Sequence, residues 1–120
     1  MSIDASSEVK TRIIQEFVPG KQVTLAHVLA NPDPDLFVKL GLDPSTHGAL
    51  GILTLTPSES AIIAADAAAK AANIQLGFVD RFSGSLLLTG TLADVERSLQ
   101  EIMELLDQML KFAPCPITRS

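Results

Sequence analysis

Tryptophan and tyrosine are absent from these 120 residues, and the only aromatic side chains are five phenylalanines. Stacking platforms for sugars or bases are therefore nearly missing. A single cysteine, Cys115, means that no disulfide forms within the chain. No block of lysine or arginine occurs and the net charge is −5, which argues against a nucleic-acid partner. No run of 18 apolar residues is free of charge, which argues against a membrane span. The opening MSIDASSEVKTR has no apolar core, so it does not read as a secretory signal, and a cytosolic location is the default. The two histidines, His27 and His47, have neither ligand spacing nor a cysteine pair, so no metal or other cofactor is expected. Gly77, Gly84 and Gly90 follow strand turns and do not build a phosphate loop.

What is present is apolar. Hydrophobic residues make up 47% of the chain and the mean hydropathy is +0.31. The length suits one domain, and the apolar excess is best spent on surface buried in an oligomer.

Residues 1–11 are polar and read as a disordered N-terminus. Arg12–Val18 (RIIQEFV) reads as a short strand stopped by Pro19-Gly20. A second strand is expected over 22–30, with Val23, Leu25, His27 and Leu29 on one face. Asp33 can cap a helix with Pro34 at its first position, ending at Gly41. Residues 43–48 form a loop and 49–56 an apolar strand. Thr56-Pro57-Ser58-Glu59 is a capping-box signature, predicting a helix from there to about Asn73. Strands over 74–79 and 85–89 flank a turn at 80–84. A long helix from Thr91 to about Lys111 carries Leu92, Val95, Leu99, Ile102, Leu106 and Met109 at helical spacing. Two prolines forbid regular helix in the tail APCPITRS. From residue 49 onward the order is most of a split βαβ unit: an α+β, ferredoxin-like fold with helices on one face of its sheet. The strand and helix of residues 22–41 would complete it, although they come first.

No catalytic constellation assembles from these residues. His27 reads as a hydrogen-bonded structural histidine and His47 as a solvated loop residue. Cys115 has no local base to activate it. Asp80-Arg81 reads as a local salt bridge in a tight turn. Lys70 is the odd residue, because eight of the twelve residues 61–72 are alanine and alanine on that scale implies close packing.

Three stretches together resemble the core of bacterial microcompartment shell proteins: the alanine-rich helix ending KAAN, the turn GFVDRFSG, and TGTLADVE. In the common form of that family a strand, a proline-rich turn and a short helix come last. Here VTLAHVLANPDPDLFVKLGL precedes the core, so the chain, over roughly residues 12–119, resembles the circularly permuted minor shell proteins of propanediol- and ethanolamine-utilising compartments, with residues 21–120 as the permuted shell domain. The front IIQEFVPGKQVTLAH and the tail CPITRS resemble that subgroup too.

The resemblance implies a non-enzymatic, structural role: a cyclic homohexamer that tiles with other shell proteins in the shell of a compartment in the bacterial cytoplasm. It places Lys70 at the hexamer rim, donating to carbonyls of a neighbouring hexamer, with Asn31 where the common family has arginine. It places Asp80, Arg81, Phe82, Ser83 and Gly84 near the central pore. Gly48 resembles the ethanolamine type, in which hexamers bend. Residues 12–20 would supply one strand to a six-stranded β-barrel capping the pore, where an encapsulated enzyme or tail peptide is a candidate partner. Alternation puts Ile13, Gln15 and Phe17 inward, with Ile14, Glu16 and Val18 outward, since six inward Glu16 carboxylates would repel. The alternative reading is an oligomeric regulatory domain binding a small metabolite.

Overall fold

The computed structural model describes residues 20–42, 48–71 and 73–120. The expected barrel strand, with Ile13 to Val18, and His47 lie outside the described residues. The elements are β1 (Gln22–Leu29), α1 (Pro34–Lys39), β2 (Ala49–Thr56), α2 (Ser60–Ala71), β3 (Gln75–Asp80), β4 (Ser85–Gly90), α3 (Leu92–Gln108) and β5 (Thr118–Arg119). The strands form one sheet in the order β3-β4-β2-β1-β5. β2 and β3 both run antiparallel to β4, which lies between them. They are therefore parallel to each other with α2 as their crossover, the expected split βαβ arrangement.

Local chemistry sets the helix boundaries. The Asp33 carboxylate accepts the Asp35 N–H at 2.9 Å ahead of Pro34, and α1 begins. Thr91 accepts the Asp94 N–H at 3.1 Å and opens α3. The capping box at Thr56–Glu59 does not form. Thr56 stays in the β2 ladder opposite Gln22, and the Ser58 hydroxyl faces the Glu59 carboxylate at 3.4 Å. Residues 57–59 instead make tight turns, with Ser60 N–H donating to Pro57 O and Ala61 N–H to Ser58 O, so α2 starts only at Ser60.

Two layers of core sandwich the sheet. On one face Ala61, Ala64 and Ala68 bring α2 close to α3 and to Leu53, Leu55, Leu86 and Leu88. The buried Ser98 hydroxyl on α3 donates to the Ala68 carbonyl on α2 at 3.3 Å. The other face is not bare, as a one-faced arrangement would leave it: Phe37 of α1 packs there on Leu50 and Leu87. A bulge between Val23 and Leu25 also breaks the expected alternation of β1. Val23, Ala26 and Val28 enter the α2–α3 core, while Leu25 is 42% exposed. Val23 is thus not on the face of His27.

The tail is a strand where none was expected. β5 pairs in parallel with β1 at His27 and Val28, and Ala113 bridges to Gln22. Pro114 and Pro116, which lack an N–H, fall between those two pairings and leave them apart.

Candidate functional site

The turn Asp80–Gly84 is organised by its first residue. Asp80 Oδ1 accepts the N–H of Phe82 at 2.9 Å and of Ser83 at 3.3 Å, and Ser83 Oγ donates to Oδ2 at 2.9 Å. These bonds, led by the Phe82 N–H, hold the Asp80 carboxyl below the ordinary aspartate range. Gly84 has φ +79, and a β-carbon there would overlap the Leu55 carbonyl, so only glycine closes the turn. The expected Asp80–Arg81 salt bridge is not made: the Arg81 guanidinium lies over the Phe82 ring, 5.0 Å from its centroid. Phe82 itself is 81% exposed.

Beside this turn lies the bare edge of the sheet. β3 has no outer neighbour among the described strands. Leu76, Phe78 and Val79 on β3, together with Ile62 and Ile63 on α2, are large apolar side chains left exposed. Ile62, Ala65, Val79 and Phe82 line an open depression rimmed by Asp80 and Arg81. At the opposite edge the tail lies along β1 as the short outer strand β5. There His27 Nδ1 lies 2.6 Å from the Thr118 hydroxyl and Nε2 lies 2.7 Å from that of Ser120, as a structural histidine should.

Lys70 extends from the end of α2 and pairs with Asp66 at 2.8 Å, both side chains largely exposed. The ends of α2 and β1 are at the same end of the sheet, where Gln75 faces Thr89 and Leu29 faces Leu50. Lys70 and Asn31 therefore share that end, and the Asp80 turn is at the other. Cys115 is partly buried, and desolvation raises its thiol pKa against a weaker opposing hydrogen bond from the Ala26 backbone. Among the described residues no group of three or more His, Cys, Asp or Glu is placed to hold a metal, and no helix is long and apolar enough to cross a membrane.

Comparison with known proteins gives this geometry its family. The BMC domain matches residues 49–118, and the bacterial microcompartment shell protein PduU of Salmonella typhimurium is 53% identical over 109 residues, covering 91% of this chain and 93% of PduU. The chain belongs to the BMC-domain family.

The BMC shell protein EutS of the same organism is 52% identical over 111 residues, covering 92% of this chain and 98% of EutS. A flat hexamer of CutR superposes with a TM-score of 0.80 at 52% identity, covering 91% of this chain and 99% of that one. CutR also forms a screw of 41.9 Å pitch, which matches with a TM-score of 0.79 at 50% identity, covering 85% and 100%. The BMC fold thus accounts for the five-stranded sheet and its two long helices.

Within this BMC chain the expected pore residues stand together in one turn, and the expected rim residues share one end of the sheet. Gly48 lies at the same end of the sheet as Lys70 and Asn31. It has φ +117, and a β-carbon would overlap the Gly90 carbonyl, so a local backbone demand already explains it. Sequence reading missed the apolar flank. Its signal was present in β3, where QLGFVD places Leu76, Phe78 and Val79 on both faces of a strand with only one neighbour.

Proposed function

We propose that the chain is a structural, non-catalytic subunit of a bacterial microcompartment shell in the bacterial cytoplasm, working as a cyclic hexamer that tiles with other shell proteins. The observation that carries this is the asymmetry of the sheet: one edge is a polar two-residue strand from the chain's own tail, and the other is a six-residue strand that is bare, apolar and flanked by exposed Ile62 and Phe82. A monomer in water avoids such an edge, whereas a ring of copies covers it. The relatives add support, since PduU, EutS and CutR are shell proteins over nearly the whole of their lengths.

Circular permutation fits the way the chain is knitted. The BMC match begins at residue 49, yet β1 and α1 ahead of it supply an interior strand and the cover of one face. Placement of Lys70 and Asn31 at one end and of the Asp80 turn at the other suits a rim and an axis. Bending at Gly48 is compatible with a relative that forms both a flat hexamer and a screw. The barrel of residues 12–20, capping the pore and offering a seat to an encapsulated enzyme or tail peptide, rests on the sequence resemblance.

The test is the mass in solution. Light scattering or native mass spectrometry should find a particle of about 76 kDa, six times the 12.7 kDa chain. A monomer at micromolar concentration would overturn the reading. A dimer or trimer stabilised by a metabolite would favour the regulatory-domain alternative.

A further inference from the structure

Two corners of the molecule are conspicuously apolar. Phe82, at 81%, and Met109, at 72%, are the most exposed of the large apolar side chains among the described residues. Phe82 stands in the turn between β3 and β4. Met109 caps α3, three residues beyond the buried Leu106, so it continues the buried stripe of the helix past the edge of its own core.

Both corners are at the same end of the sheet. Asp80 pairs with Ser85, and Leu55 N–H donates to the Gly84 carbonyl. At that same end Gln22 pairs with Thr56, and Lys21 Nζ reaches the Leu110 carbonyl at 3.3 Å. Yet they are on opposite flanks of the sheet, Phe82 beside β3 and Met109 beside β1. β4 and β2 separate β3 from β1, a gap of about 14 Å at the usual strand spacing. Within one chain Phe82 and Met109 do not meet.

We propose that Phe82 of one subunit packs on Met109 of the next, joining the β3 flank of each copy to the β1 flank of its neighbour. The inference rests on the ring reading above and names the contact within it. Rotation about a single axis keeps the same end of every copy on the same side, so a head-to-tail contact between these flanks brings the two corners together. A thioether on an aromatic ring is a favourable pair. Charge agrees. Among the described residues Arg81, which rides on the Phe82 ring, has no carboxylate in ion-pair range, and Asp107, two residues before Met109, has no cation. The occupant is a second copy because this chain carries both halves of the contact.

The test is a double-cysteine variant, Phe82→Cys with Met109→Cys, in a full-length chain also carrying Cys115→Ala. A disulfide needs Cα atoms within about 7 Å, so mild oxidation links different chains only. The expected result on a non-reducing gel is a ladder rising to six chains, while either single cysteine gives two-chain species at most. A variant that is six-chain before oxidation and stays unlinked both after it and after treatment with a longer thiol-reactive bismaleimide overturns the contact and leaves the ring reading intact. A parent protein that is not six-chain overturns the ring itself. As a second readout, Phe82→Ala and Met109→Ala should each raise the subunit dissociation constant about tenfold or more, and the double variant should add little to either. Fully additive effects would overturn the pairing.

Discussion

The Nδ1 of His27 and the hydroxyl of Thr118 are 2.6 Å apart across 91 residues of chain. Thr118 donates its own proton to the Ala26 carbonyl at 3.3 Å, so it accepts from Nδ1–H, and Nε2 is left to accept from the Ser120 hydroxyl at 2.7 Å. One imidazole thereby fastens β5 to β1. His27→Ala should loosen residues 113–120 and cost about 0.5–1.5 kcal/mol, because the exposed Thr118 and Ser120 hydroxyls regain water when the imidazole is lost. Hydrogen exchange would report it: the Ser120 N–H, bonded to the Val28 carbonyl, should lose protection while α3 keeps its own. Unchanged protection at Ser120 would refute the clamp.

Gly48 should tolerate no side chain. Its φ of +117 disfavours every L-residue, and the Gly90 carbonyl blocks the β-carbon. Gly48→Ala is expected to cost more than about 2 kcal/mol, and Gly48→Val more again. Thermal melts compared with the parent decide this. A variant melting within a degree of the parent would show that the loop accommodates the β-carbon.

Lys70→Ala should barely touch the fold. Its pair with Asp66 is an exposed i,i+4 contact, worth about 0.3–0.5 kcal/mol. The hexamer should survive while extended layers or shell incorporation are lost, because the proposed rim contact lies between hexamers. Negative-stain images showing the same layers as the parent would remove Lys70 from the rim.

Asp80 ties turn geometry to pH. Its carboxyl sits lower in the folded chain than in the unfolded one, chiefly through the Phe82 N–H. The folded state therefore gains stability that is present above the unfolded pKa and lost as pH falls through the folded one. A carboxyl-detected NMR titration should give a midpoint below the ordinary aspartate range, and Asp80→Asn should erase that acid-side loss. A midpoint at or above the ordinary value would mean that the turn does not hold the carboxylate in solution.

Deleting residues 1–17 tests the barrel. The hexamer should remain folded, since the described core draws on residues from Val23 onward, and one mouth of the pore should open to small solutes. Loss of assembly, or no change in access, would defeat the capping role.

Much of the architecture was legible where local chemistry and periodicity agreed. The Asp33-Pro34 and Thr91-Asp94 caps formed as written, and the apolar strand 49–56 has those bounds in the structure. The failures are tertiary. Thr56 could cap a helix or extend a strand, and its ladder with Gln22 won. The bulge after Val23 leaves no mark in QVTLAHVL, because apolar residues occupy either parity. β5 was hidden because two residues pair only when a distant strand offers an edge. Met109 fits the helical stripe in sequence yet lies beyond the sheet that the stripe covers. The candidate residues were found as a turn and a helix end, but the flank beside them emerges only when β3 proves to be an edge.

The pairing of β1 with β5 also imposes an order on how the molecule comes into being. β1 precedes every other described element in the chain, and it can join β2 as soon as residue 56 follows. Its outer side must wait for Thr118. Contacts of such long range close last and slow the final step. Until residue 118 has been made, the nascent chain therefore leaves the outer side of β1 open, the side along which β5 later pairs. Pairing of the tail thus marks the point in synthesis at which both sides of β1 gain a partner.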